Sequence, residues 1–477
     1  MAFTFNSAAK TALQVTALGD LEALNLTPAT QSSLAKLQEQ QARAVFIAGA
    51  GCVGLATALA LLKQGYTVVL HDPQALTPWS AEQRDVKIFA VNHVNASYLD
   101  SLGAWDYIKA LRVNAYDTLS LYAEQQPETF FTAQEVDIQE LGYMVENAAL
   151  VQGLLQACQA YENFIFLSQI QVTNAQRLNL AGEFNVSEQY KPLASQHAWH
   201  ITFNTGLSLV TNLVLAADGA NSYWRQQANI GVDTHSYPTK CLLIQVETDA
   251  AVTSKYAHHT WQYIDEHGPK AWLPESENTG VLCWYDQIET IDALQQMPLA
   301  RLTTQVLQKF PSDRVGTELK VLQAVSFPLA RKRAKHYWQN NVLLLGDAAH
   351  TVSPLAGQGL NLGLQDVQCL DLLFANRDFK SLEALALAYA RERFTDNTAM
   401  QEFLSFLHHT YVSQLGIFKM IKPNLYRILS ITPLKHEALN YANGDRSVHR
   451  SVFTILNKLS NFLANSRTKS GKDEAGL

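Results

Sequence analysis

AVFIAGAGCVGLATALALLKQGYTVVLHD, residues 44–72, is the stretch that decides the fold. Ala44 to Ala48 is a short apolar run, long enough for a buried strand and too short for a helix. GAGCVG then turns the chain, the apolar series from Cys52 to Gln64 reads as a buried helix stopped by Gly65, and Tyr66 to His71 is a second strand. Strand, turn, helix and strand in that order make one βαβ unit. The uncharged run from Ala44 to Leu62 approaches the ~20 residues of a bilayer span. The glycines that interrupt it and the strand that follows it assign it to the βαβ unit instead.

The turn carries chemistry because Gly49, Gly51 and Gly54 stand in GxGxxG register between strand and helix. Gly49 permits the turn, Gly51 lets the backbone approach a pyrophosphate, and Gly54 lets the helix pack on the strand. The helix N-terminus adds free N–H groups and partial positive charge for phosphates. Asp72, at the end of the second strand, is placed to accept hydrogen bonds from ribose hydroxyls. This motif alone admits either FAD or NAD.

Composition narrows the classes around that unit. With 477 residues, two or more structural units are expected. The net charge of −7 gives no sequence-wide basic surface, so no nucleic-acid partner is expected. The five cysteines are far apart without a CxxC, so neither a disulfide framework nor a metal cluster is signalled and a cytoplasmic location fits. Residues 1–42 do not read as a secretory signal and are expected to be a polar extension, helical over Gln31 to Gln41.

Two later segments choose the cofactor. LVLAADGANSYWR (213–225) is an apolar strand ending in Asp218 and Gly219. VLLLGDAAHTVSPLAGQGLNLGLQDV (342–367) is another strand followed by Gly346 and Asp347 and a glycine-rich approach to a helix opened by Gly357 and Gly359. Bare N–H groups at that helix start can face an anion or the negative charge that develops on a reduced flavin.

Together the three motifs resemble the single-component flavin hydroxylases related to p-hydroxybenzoate hydroxylase. GDAAHTVSPLAGQGLNLGLQDV is very close to the signature of the ubiquinone-biosynthesis aromatic hydroxylases. LGYMVEN (141–147), HGPKAWLP (267–274), Trp284 and FPL (327–329) follow in that family's order, so the resemblance covers about Arg43 to Gly444. It implies an FAD-dependent monooxygenase that uses NAD(P)H and O2 to hydroxylate the ring of a polyprenylated phenol in ubiquinone biosynthesis, through a flavin C4a-hydroperoxide. In that class the first motif holds the adenosine diphosphate half of FAD. Asp347 would hold the ribityl chain, and Asp218 and Gly219 would touch FAD and bear on NAD(P)H use. Gly346, Gly357, Gly359 and Asn361 would complete the cofactor contacts, with His350 and Pro354 on the catalytic side. His350 is read either as orienting its loop or as moving a proton.

There are two departures from the family pattern. Asp72 stands where a glutamate is usual and keeps the acid. Lys87, in DVKIFAVN, stands where an arginine is usual and keeps the charge without the fork of donors; Arg84 lies close enough in sequence to compensate. The substrate side also suits a flavin monooxygenase acting on a soluble aromatic, and Lys87 also suits an FAD-binding scaffold of a quinone-biosynthesis assembly.

The expected architecture is α/β: an FAD/NAD(P)-binding Rossmann-like domain interleaved with an antiparallel β-sheet substrate domain, then a helical C-terminal region. The FAD domain is drawn from residues 43–113, 141–235 and 325–400, and the substrate domain from 114–140 and 236–324. Thr118 to Ala123, Leu242 to Thr248, His259 to Ile264, Lys270 to Leu273 and Gly280 to Tyr285 are its expected strands, with Trp272 and Trp284 lining the pocket or filling core. Residues 401–465 form the helical region and 466–477 a disordered tail. Within Phe403 to His436, Lys419, Lys422, Arg427 and Lys435 stand among apolar residues without Asp or Glu. That segment is expected either to rest on the inner face of an anionic membrane or to pack on the core. Other ubiquinone-biosynthesis proteins are possible partners under the same resemblance.

Overall fold

The βαβ unit forms as its sequence dictates: strand Ala44–Ala48, helix Cys52–Lys63 and strand Thr67–Asp72. These belong to a computed structural model that describes residues 13–17, 44–123, 128–179, 197–248, 255–265, 268–353, 357–376 and 379–412. The strands lie at the centre of a six-stranded sheet in the order Trp338–Gln339, Val342–Leu344, Val214–Ala216, Ala44–Ala48, Thr67–Asp72, Phe164–Ser168. All neighbours are parallel except the first pair. Parallel strands covered on both faces read as continuous apolar runs, and Val45, Phe46 and Ile47 are accordingly at most 1% exposed. The carboxyl ends of strands 44–48, 214–216 and 342–344 therefore deliver all three sequence motifs to one edge of this sheet.

The second layer is an eight-stranded sheet in the order His350–Thr351, Leu319–Ala334, Val232–Thr248, Thr279–Gln287, Pro269–Pro274, His259–Ile264, Thr118–Ala123, Thr129–Thr132. It is antiparallel as expected except at one place: His259–Ile264 and Thr118–Ala123 run parallel, because the chain returns to this sheet after a long excursion through the first. Strict alternation separates its faces. Leu242, Ile244, Trp272, Leu282 and Trp284 pack against Ile291, Leu294, Leu302 and Val306 of helices Ile288–Gln295 and Leu299–Lys309. Trp272 and Trp284 are thus core, on the face away from the three motifs. Cys241, Leu243, Ala271, Leu273, Cys283, Tyr285 and Phe327 point the other way, toward Val86 and Ile88.

The expected domain limits at 235/236 and 324/325 fall inside the two long strands Val232–Thr248 and Leu319–Ala334, which are neighbours in the eight-stranded sheet. Residues Leu13–Ala17 of the polar extension pair with Ser208–Thr211 at the edge of a separate four-stranded sheet. The helix expected over residues 31–41 lies outside the described residues, as does the tail 466–477. Of the C-terminal region, the structure describes the end of helix Leu382–Val412, so the limit at 400/401 also falls within an element.

Candidate functional site

Three glycines of the first loop meet three different steric demands. Gly49 adopts φ +97°, and a Cβ there would collide with the Ala217 carbonyl. A Cβ on Gly54 would collide with the Gly49 carbonyl. Gly51 differs: it is exposed, precedes helix Cys52–Lys63, and a Cβ there meets no protein atom within 4 Å. Space is thus reserved over the helix N-terminus, whose first N–H groups have no intrahelical acceptor. Asp72 steadies the loop, Oδ2 accepting from the Ala50 N–H at 2.8 Å and Oδ1 from the Gln74 N–H at 2.9 Å. A carboxylate with about four acceptor positions keeps capacity for ribose hydroxyls.

The second motif forms the wall against which Gly49 packs. Asp218 Oδ2 accepts the Trp224 N–H at 3.1 Å, while Oδ1 is buried without a partner, and burial raises this carboxyl's pKa. Gly219 has φ +82° with open space beyond it. Arg225, overlooked at the end of the quoted NSYWR, is 5% exposed and donates to the Ala220 carbonyl at 3.0 Å and the Ala348 carbonyl at 2.8 Å. It ties the second motif to the third.

In the third motif, Gly346 turns at φ +55° and donates its N–H to Asp366 Oδ2 at 2.9 Å. Asp347 stays solvent-accessible. The dense walls around it still displace enough water to push its pKa up, an effect opposed by His350, Lys87 and Lys332. Lys87 is exposed, with its backbone fixed by Asp85 Oδ1 at 2.9 Å and by the Asn147 N–H at 2.9 Å. Its charge also reaches Cys52, whose thiol burial pushes up to about 12 and so keeps inert as a nucleophile. Gly357, at φ +62°, begins helix Gln358–Ala375, with Gly359 in its first turn 3.6 Å from Val352 by its notional Cβ. Asp347→Ala should weaken FAD binding about ten- to a hundredfold, since hydrogen bonds to a charged group contribute roughly 1.5–3 kcal/mol. Equilibrium titration of apoprotein with FAD checks this, and unchanged affinity removes Asp347 from the site.

Two of the expected site residues, Asn361 and His350, are engaged by groups of the chain itself. Asn361 is 1% exposed and spends its amide on the chain: it donates to the Ala90 and Gly357 carbonyls at 2.8 and 3.1 Å, and accepts from the Asn92 N–H at 3.1 Å. It fixes strand Ile88–Asn92 to the helix and leaves no amide group for a cofactor. His350 has no exposed surface; its Nε2 lies 2.6 Å from Asp366 Oδ2 and its ring stacks on Tyr337. It holds the turn from behind, as a positioning residue. Asp366 also receives Arg393 Nε at 2.7 Å and Asn397 Nδ2 at 3.1 Å, and His350 and Arg393 hold its carboxyl below the usual range against its burial. Pro354 lies outside the described residues.

Against Val86 and Ile88 the eight-stranded sheet sets an apolar face that includes Leu243, Ala271, Leu273 and Phe327, all partly exposed, and on the same row as Leu243 stands Val325 at 45% exposure. A planar ring fits such a surface. This face ends in a polar group. Glu275 is 9% exposed, receives Gln245 Nε2 at 3.1 Å on both oxygens, and lies 3.7 Å from Arg84 NH1. Arg84 is thus directed to this carboxylate. Burial pushes the Glu275 carboxyl up to about 7 against its Gln245 bonds and Arg84. A folded-state pKa above the unfolded one means that stability falls as pH rises from about 4.5 to about 7, in all by about 3 kcal/mol. Glu275→Gln should remove that slope, raising the urea midpoint relative to wild type more at pH 8 than at pH 5. Parallel shifts at both pH values would contradict it.

Residues 201–403 match the family described as an FAD binding domain. The chain is 34% identical over 406 residues to 3-demethoxyubiquinol 3-hydroxylase of Escherichia coli (strain K12), spanning 84% of this chain and 98% of that protein. It is 27% identical over 447 residues to ubiquinone biosynthesis monooxygenase COQ6, mitochondrial, of Homo sapiens, spanning 84% and 92%. Among solved structures, p-nitrophenol 4-monooxygenase PnpA from Pseudomonas putida DLL-E4 shares the fold with a TM-score of 0.66 at 16% identity, over 85% of this chain and 100% of that one. P. aeruginosa PqsL in complex with 2-aminobenzoylacetate gives a TM-score of 0.65 at 22% identity, over 78% and 97%.

Proposed function

The chain belongs to the FAD-dependent aromatic hydroxylases of ubiquinone biosynthesis, and from that membership we propose that it hydroxylates the ring of a polyprenylated phenol with NAD(P)H and O2. One observation carries the reading: the carboxyl ends of strands 44–48, 214–216 and 342–344 bring the open space at Gly51, the exposed Asp347 and the helix started by Gly357 together at one edge of the parallel sheet. When bound, FAD supplies the oxygen-activating chemistry. The chain's own part is to seat the diphosphate on the Cys52–Lys63 helix, hold the ribityl chain at Asp347, and set the ring against Leu243, Val325 and Phe327. Purified protein reconstituted with FAD should oxidise NAD(P)H faster when a prenylated phenol is added and should yield a product heavier by one oxygen, read by mass spectrometry. FAD bound without phenol-dependent oxidation would favour the scaffold reading, and hydroxylation confined to unprenylated phenols would favour a soluble substrate.

Its place of action is part of the same proposal. Among the described residues no helix is long and apolar enough to cross a membrane. A polyprenylated phenol dissolves in the bilayer, so the basic, apolar segment 403–436 is proposed to rest on the inner face of an anionic membrane, where each basic residue contributes about 1 kcal/mol. Changing Lys419, Lys422 and Arg427 to Glu should weaken co-sedimentation with anionic vesicles at low salt and leave FAD content normal. Equal sedimentation of both proteins would assign the segment to packing and delivery to partner proteins.

A further inference from the structure

We infer that Glu275 receives the hydroxyl group of the substrate phenol and takes up its proton as the ring is hydroxylated. This rests on the proposed ring hydroxylation and adds to it the residue that activates the ring. An electron-rich ring attacks an electrophilic oxygen better as phenolate than as phenol, so a proton acceptor within reach of the ring oxygen accelerates the reaction.

The placement is geometric. Glu275 follows strand Pro269–Pro274 at a tight turn closed by its N–H on the Thr279 carbonyl at 3.0 Å. On the face turned to Val86 and Ile88, strand register sets Leu243 beside Val325 and Cys283, and sets Gln245 beside Gln323 and Val281. The sheet face thus passes from the exposed Val325 beside Leu243, through the Gln323–Gln245 row, to the Glu275 carboxylate, the arrangement a phenol needs if its ring lies on Val325 and its oxygen points to Glu275.

The surroundings fit an acceptor rather than a structural ion pair. Gln245 Nε2 is shared between both carboxylate oxygens, and Gln323 Nε2 holds Gln245 Oε1 at 2.7 Å. Arg84 stands 3.7 Å away, beyond a hydrogen bond, with its NH1 buried and unpartnered. A bidentate Arg–carboxylate pair would neutralise the group; this one leaves it able to change charge. Glu146 and Arg112 are the further charges that act on it, in opposite directions, and they are committed to each other at 3.0 Å. The group's pKa near 7 agrees with this role, because a base works best when its own pKa lies near the working pH. In the step itself the phenol O–H bond breaks, its electron pair stays on the phenol oxygen, and the proton forms a new bond to a Glu275 carboxylate oxygen. Water reaching this face after product release can remove that proton.

The test uses FAD-loaded full-length protein and 2-(3-methylbut-2-enyl)phenol, a water-soluble prenylated phenol, with binding read from the flavin absorbance change before NAD(P)H is added and kcat/KM measured after it. Wild type should bind the neutral phenol roughly tenfold or more tightly at pH 8 than at pH 6, as ionised Glu275 becomes an acceptor. Glu275→Gln should bind with no pH dependence in that range and lose about 10²–10⁴-fold in kcat/KM together with the limb of its pH profile near 7. Gln245→Met keeps the carboxylate but removes its donor, so the limb should move to higher pH; this variant decides the matter should Glu275→Gln fail to fold. A wild-type pH profile in either variant overturns the inference. Loss of FAD binding or of phenol-dependent turnover in wild type would instead defeat the functional reading beneath it.

Discussion

Gly51→Val yields a folded protein that purifies colourless. Gly51 has φ −74° and ψ 179°, extended backbone open to any residue, and a Cβ there meets no protein atom within 4 Å. The chain itself accepts the branched side chain. What that side chain occupies is the space over the start of helix Cys52–Lys63, where the pyrophosphate must lie against backbone N–H groups. FAD occupancy, read from flavin absorbance per protein, should drop by at least about two orders of magnitude in affinity, since loss of close phosphate contact removes several charge-assisted hydrogen bonds. Thermal melting of the apoprotein should stay near that of wild-type apoprotein. Gly54→Ala is the contrast, because its methyl would strike the Gly49 carbonyl, so fold and cofactor should be lost together. Full FAD occupancy in Gly51→Val would show that this loop does not hold the cofactor.

The second large effect is expected far behind the site. Arg393→Met should destabilise the protein by about 3–5 kcal/mol, because Asp366 and Arg393 are both fully buried and removing one leaves the other uncompensated. In wild type the Asp366 carboxyl is held low, so its stabilisation is present above the unfolded pKa of about 4 and fades only as pH falls through the still lower folded value. Without the guanidinium only His350 still opposes burial, so that pKa should rise and the loss should be larger at pH 8 than at pH 5. Urea unfolding at the two pH values measures it. FAD affinity should drop as well, because Asp366 Oδ2 anchors the Gly346 N–H beside Asp347. A loss under about 1 kcal/mol at both pH values would mean that the cluster contributes little to stability.

The parts of this protein that were legible in its sequence are those whose geometry is set within a few residues. Gly49, Gly51 and Gly54 could be assigned separate tasks because a turn, a helix start and a helix packing contact lie in one short loop. The strands at 118–123 and 259–264 were legible from local alternation, but their parallel pairing was not, since nothing in either segment reports which neighbour the chain returns to. Asn361 sits inside a cofactor signature and read as a ligand, yet its amide is taken by residues near position 92, remote in sequence. Glu275, in the polar stretch PESEN, has the pattern of a solvated turn. Only Gln245 and Arg84, arriving from distant strands and loops, bury it. Arg393 stands in a helix rich in charge and gave no local sign that it, with Asn397, points inward to meet Asp366.

The paired strands Val232–Thr248 and Leu319–Ala334 have a mechanical consequence. Seventeen and sixteen residues long, they extend for roughly 50 Å at about 3.3 Å per residue and form one continuous beam of the eight-stranded sheet. A strand pair of that length resists bending along most of its course. Its ladder is interrupted by an irregularity at Ser236–Lys240, opposite Pro328–Ala330, and flexure concentrates at that joint. Val86 and Ile88 pack on the sheet near that beam, so a change of the sheet's curvature at the joint would be felt by the segment that also carries Arg84 and Lys87.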